Sequence, residues 1–104
     1  MIQVSIYKTN KKINRIIISG HSGYAESGYD IVCSAVSSVV TTTINAILSF
    51  DETIKVEDDG KVLEISIVRH DEITNKLIVN MIDLLQEIEK QYKKNIRTEE
   101  KNEC

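Results

Sequence analysis

Twenty consecutive residues, Ile31 to Phe50, carry no charge, no glycine and no proline, and whatever this chain folds into must place them. The run far exceeds a usual strand, so length favours a helix over the strand propensity of its Val, Ile and Thr residues. It is also long enough to span a bilayer, but eight of the twenty residues are Ser, Thr or Asn and the flanks read as soluble strands. The expectation is a buried helix of a globular domain, with no membrane association. Asp30, a short acceptor immediately before the run, is its N-cap. Val32, Val36, Val39, Thr43 and Ala46 form one helical stripe, widened by Ile44, Ile47 and Leu48.

Such a helix needs a second layer, and the rest of the chain supplies one. Ile2, Val4 and Ile6 alternate with polar residues at the period of a half-buried strand, and Ile13–Ser19 continues as a second strand after a polar turn at residues 9–12. Thr53–Glu57 and Lys61–Arg69 make another hairpin around Asp58-Asp59-Gly60, where the Asp-Gly pair suits a tight turn with positive φ. Glu57, Asp58 and Asp59 are read as turn chemistry. From about Glu72 to Lys94, Leu77, Met81, Leu84, Leu85, Ile88 and Tyr92 recur at helical spacing. The order ββαββα predicts an α+β two-layer sandwich, an antiparallel sheet with two helices on one face. With 104 residues the chain makes one domain, assigned to residues 1–96, and the charged segment 97–104 is assigned to a disordered tail.

Charge and cysteine usage narrow the function. A net charge of −3 argues against direct binding to nucleic acid, and the basic clusters Lys11–Lys12 with Arg15 and Lys90–Lys94 read as solvated surface. Two cysteines make no disulfide framework and Met1–Tyr7 does not resemble a signal peptide, so the expected compartment is the cytoplasm. Cys33, Cys104, His21 and His70 match no metal-ligand spacing, so neither metal nor cofactor is expected. His70, beside Asp71, reads as structural and Cys104 as an incidental thiol.

Cys33 falls in the first turn of the helix that Asp30 opens. Unpaired N–H groups and the helix dipole there favour a negative sulfur, and the same N–H groups could receive a developing oxyanion. A buried cysteine filling the core is the plain alternative. His21 ends the second strand directly after Gly20, at the mouth of a glycine-rich loop that leads to the helix of Cys33. A Cys–His pair is the minimum for thiolate catalysis, although spacing alone leaves an ordinary loop histidine open. The loop itself, Ser22 to Tyr29, is either a lid hinged at Gly23 and Gly28 with Tyr24 and Tyr29 as contacts, or a plain connector.

Gly20-His21-Ser22, the loop ending in Gly28, and Asp30-Ile31-Val32-Cys33-Ser34-Ala35-Val36-Ser37 closely resemble a known signature. It is that of the ribosomal-processing cysteine proteases, the Prp family: Gly-His-Ala, a few variable residues, then Gly-x-Asp-Ile-Val-Cys-Ala-x-Val-Ser. Length and element order resemble the family too. Ser22 and Ser34 depart from it where alanine is common, which bears on local packing. The resemblance implies a homodimeric endopeptidase that removes an N-terminal extension from a large-subunit ribosomal protein. It implies Cys33 as nucleophile and His21 as general base and acid. Gly20, Ser22, Gly28, Asp30, Ser34 and Ser37 become positions that shape the site or bind substrate, near an apolar groove expected by the Tyr24–Tyr29 loop. Two other classes compete with this reading: a non-enzymatic ribosome-associated binding module, and a redox protein using Cys33, which lacks a nearby resolving cysteine.

Overall fold

The computed structural model describes residues 1–26 and 30–103. β1 (Ile2–Thr9) and β2 (Lys12–Ser19) pair antiparallel. Asn10 and Lys11 turn between them with φ of 51° and 65°, the left-handed pair that matches the strands' twist. After the loop come α1 (Ile31–Leu48), the hairpin β3 (Lys55–Asp58) and β4 (Val62–Ser66), then α2 (Glu72–Gln91). A fifth strand, β5 (Ile96–Asn102), follows, and the sheet runs β3-β4-β2-β1-β5.

That fifth strand corrects the sequence reading in two respects. Residues 97–102 belong to a strand where a disordered tail was expected, and the sheet is mixed, because β5 lies parallel to β1. The α+β sandwich with two helices stands. β5 was hard to read because it is an edge strand: Ile96 alone among its residues is buried, so it shows almost no apolar alternation.

Register explains the core. Val4 faces Ile18 and Ile6 faces Ile16 across β1 and β2, Ile16 meets Ile65 and Ile18 meets Leu63 on β4, and Ile2 meets Ile96 on β5. With period-two side chains, all of these share one face. They join Val32, Val36, Val40, Ile44 and Ile47 of α1 and Ile78, Met81, Ile82 and Leu85 of α2 in one cluster. On the opposite face the Tyr7 ring lies 4.3 Å beneath the Arg15 guanidinium, which also pairs with Glu64 and Glu103.

The helix stripes sit slightly off their expected phase. On α1, Val40 is buried, Val39 and Ala46 are half-buried, and Leu48 is exposed. On α2, Thr74, Ile78 and Ile82 line the core while Leu84 points outward. α1 is long and apolar enough by length and composition to cross a membrane, and here it contributes six buried side chains to the domain.

The connectors are locally determined. Gly60 has φ +88°, Asp58 accepts from the Gly60 N–H, and Asp59 accepts from the N–H groups of Lys61 and Val62, so the acidic cluster does build a turn. β3 and β4 are shorter than expected: β3 starts two residues late, at Lys55, and β4 ends three residues early, at Ser66. His70 is exposed in the following linker, and Asp71 caps α2 by accepting from Thr74 N–H at 2.8 Å.

Candidate active site

The site forms where β2 ends and α1 begins. Gly20 turns the chain out of β2 with φ +83°, and a Cβ there would collide with the Met1 carbonyl oxygen. Glycine is therefore required twice over, by conformation and by space. His21 follows and is exposed, while Ser22 is almost fully buried.

Asp30 caps α1 as expected. Its backbone is extended, and one carboxylate oxygen accepts from the N–H groups of Val32 and Cys33, each at 3.0 Å. The other oxygen accepts from the Ser22 hydroxyl. The Ser22 hydroxyl and then the Cys33 amide hold the Asp30 carboxyl down at about 2, against the opposing effect of burial. This corrects one expectation. The Val32 and Cys33 N–H groups at the helix start are committed to Asp30, so they are not free to receive an oxyanion.

Cys33 is half-buried, and its sulfur accepts a hydrogen bond from the Ser22 main-chain N–H at 3.5 Å. Because Ser22 N is bonded to the His21 carbonyl carbon, the His21 Cα lies within about 6 Å of that sulfur by covalent geometry. The histidine-bearing strand end and the cysteine-bearing helix start are thus packed neighbours.

Ser22 is the hub of the site. Besides donating to Asp30, its hydroxyl accepts from Tyr24 N–H at 3.1 Å, and its carbonyl accepts from Asn95 Nδ2 at 3.0 Å. The Tyr24 ring packs edge-on against Tyr92, with centroids 5.4 Å apart. Asn95 and Tyr92 were not recognised as site residues from the sequence. Tyr92 was seen only as part of a helical stripe, and Asn95 offers no local signal because its partner is 73 residues away.

The remaining candidates separate. Ser34 is exposed, with its N–H bonded to the Asp30 carbonyl as part of the first helical turn. Ser37, one turn beyond Cys33, lines a cavity of about 210 Å³ with Ile18, Val36, Val40, Leu63 and Asp58. A neighbouring cavity of about 230 Å³ continues along α1 past Ile44 to Val56. Gly28 and Tyr29 lie outside the described residues, as does Cys104, so the lid reading rests on Gly23 and Tyr24 alone. Among the described residues no cluster of three or more His, Cys, Asp or Glu side chains could hold a metal ion.

Comparison with known proteins shows the family of the chain. The family model described as cysteine protease Prp matches residues 1–97. The ribosomal processing cysteine protease Prp of Staphylococcus aureus is 32% identical over 102 residues, covering 93% of this chain and 96% of that protein. That of Bacillus subtilis is 34% identical over 106 residues, covering 93% and 95%. A crystal structure of the S. aureus protease with a covalently linked product peptide superposes with a TM-score of 0.88 at 32% identity, over 97% of this chain and all of that one. The same protease with a substrate peptide gives 0.82 at 31% identity, with the same coverage. Matched in this way along nearly its whole length, the chain belongs to the cysteine protease Prp family, the cysteine peptidases of ribosomal processing.

Proposed function

We propose that this chain is an endopeptidase that removes an N-terminal extension from a large-subunit ribosomal protein, with Cys33 as nucleophile and His21 as its proton-transfer partner. The observation that carries the reading is the Ser22 N–H directed at the Cys33 sulfur, which puts the backbone of His21 beside the thiol. His21 takes the proton of the Cys33 thiol, and the sulfur adds to the scissile carbonyl carbon as the carbonyl electron pair moves onto oxygen. Collapse of that adduct breaks the C–N bond and leaves a thioester, while His21 delivers a proton to the departing amine. His21 then takes a proton from water, whose oxygen attacks the thioester and frees Cys33. The apolar cavities along α1, opening one turn from Cys33, offer space for side chains of an extended peptide. A covalent product peptide on the S. aureus relative supports the acyl-transfer chemistry, and its name supports the ribosomal substrate.

The reading extends to a cytoplasmic homodimer. The exposed Ile73 and Leu84 of α2 are the kind of apolar surface a second copy would cover.

The test is direct. Purified protein is incubated with the extended ribosomal protein and the product masses are read. Loss of the extension is expected with the wild type, none with Cys33→Ala, and a rate lower by about 10²- to 10⁴-fold with His21→Ala. Cleavage that survives Cys33→Ala would remove the assignment from this site.

A further inference from the structure

We infer that the main-chain N–H of Ser22 is the oxyanion donor of this active site, and that Asn95 is the positioning residue that aims it. The inference rests on the reading of Cys33 as the nucleophile and adds to it the group that receives the negative charge. The starting observation is an elimination. Acyl transfer at a cysteine needs an N–H directed at the oxygen that becomes negative, and a helix start would ordinarily supply it. Here the Val32 and Cys33 N–H groups both point at Asp30 instead, at 3.0 Å. Among the described residues, the one main-chain N–H donated to the Cys33 sulfur is that of Ser22.

Geometry makes that N–H suitable. The oxyanion forms on the carbon that has just bonded to sulfur, so it sits one bond angle away from the sulfur. A donor 3.5 Å from the sulfur in the resting site needs only to transfer its hydrogen bond from sulfur to the adjacent oxygen. As the thiolate charge moves to oxygen, the donor follows it, and no other group has to rearrange. No atoms are exchanged in this step: the electron pair of the carbonyl becomes the oxyanion, and the N–H keeps its proton throughout.

An oxyanion donor is effective only if it is held in place before the reaction. Ser22 is held at each of its polar atoms. Its hydroxyl is tied to Asp30 and to Tyr24 N–H, and its carbonyl to Asn95 Nδ2 at 3.0 Å. The Asp30 tie belongs to the same loop–helix unit that must be positioned. Asn95 comes from outside that unit, between α2 and β5, and is anchored in turn because its own carbonyl accepts from Ile2 N–H at 2.8 Å. Tyr92, three residues earlier, braces the loop through Tyr24. The corner between α2 and β5 is therefore the fixed platform against which the loop is set.

The experiment uses the full chain. Native chemical ligation at Cys33 joins a synthetic segment 1–32 to residues 33–104, which allows the amide at Ser22 to be replaced by an ester that lacks the N–H. We expect kcat to fall about 10²-fold with KM changed less than about threefold, the signature of a donor used in the transition state. Since the ester could also disturb folding, recombinant Asn95→Ala and Asn95→Asp provide a second measurement. Asn95→Ala is expected to lower kcat about tenfold with KM little changed, and Asn95→Asp, which puts an acceptor against the Ser22 carbonyl, to lower it further. Asn95→Gln, which retains a donor, should recover part of the loss. An ester variant whose kcat stays within about threefold of the ligated wild type would overturn the Ser22 assignment. Asn95 variants that change KM and kcat together, without rescue by glutamine, would overturn the positioning role. Neither result touches the protease reading, which fails only if Cys33→Ala remains active.

Discussion

Gly20 offers a perturbation whose cost can be worked from two separate causes. Alanine at this position would sit at φ +83°, a left-handed conformation that costs an L-residue roughly 1–2 kcal/mol. Gly60→Ala, at φ +88° with nothing near its would-be Cβ, incurs that cost alone and serves as the reference. At Gly20 the new methyl also meets the Met1 carbonyl oxygen, a backbone atom that cannot rotate aside. Relief requires the start of β1 to move. Ile2 is only 3% exposed, and its N–H is bonded to the Asn95 carbonyl at 2.8 Å. Exposing about half of that side chain costs about 1 kcal/mol. Stretching the hydrogen bond adds about 0.5–1.5 kcal/mol. Gly20→Ala should therefore destabilise by about 2.5–4.5 kcal/mol, against about 1–2 for Gly60→Ala. At about 4–8 °C per kcal/mol for a domain of this size, the thermal midpoints should differ by roughly 6–20 °C. Urea and thermal unfolding followed by far-UV circular dichroism read both variants side by side. If Gly20→Ala proves no more destabilising than Gly60→Ala, the close approach to Met1 has no energetic weight and the account of this position fails.

Two further outcomes follow. The folded Asp30 carboxyl titrates at about 2, below its ordinary 3.8, so the unfolded chain takes up the proton first. Its contribution is fully present above 3.8 and is withdrawn as pH falls towards 2, and Asp51, Asp59 and Asp71 act in the same direction. The urea midpoint should fall across that window, and Asp30→Asn should flatten the slope; an unchanged slope would contradict the capping geometry. Ile96→Ala should cost about 2–5 kcal/mol by equilibrium unfolding, because the side chain is fully buried on β5. A cost within about 0.5 kcal/mol would instead mark a residue outside the core.

What could be read from the sequence divides by the range of the interaction involved. The alternation of Ile2, Val4 and Ile6, the left-handed turn at Gly60 and the Asp30 cap are decided by neighbours within a few residues, and each was legible. The neighbourhood of Cys33 and His21 was suggested by the resemblance of residues 20–37 to a known signature, whereas spacing alone left an ordinary loop histidine open. β5 was not, since its pairing with β1 rests on register and on Ile96 rather than on a pattern within the segment. Ser22 stands in the sequence as a motif position that shapes the site, a small residue where alanine is common, and its polar partners emerge only once Asp30, Tyr24 and Asn95 converge. The use of the helix-start N–H groups was misjudged for a local reason: a capping aspartate satisfies the very donors that it exposes in sequence.

The hydrogen bond from Asn95 to Ser22 also sets a timetable. The loop with His21 and the helix with Cys33 leave the ribosome early, but the side chain that bonds the Ser22 carbonyl is encoded 73 residues after Ser22. Contacts that distant form late, after the intervening chain has been gathered in. A nascent chain that has exposed its motif but not yet paired β5 with β1 therefore carries Ser22 without its Asn95 partner. The contact between Asn95 and Ser22 is therefore a property of the finished sheet, although the motif it steadies begins in the first third of the chain.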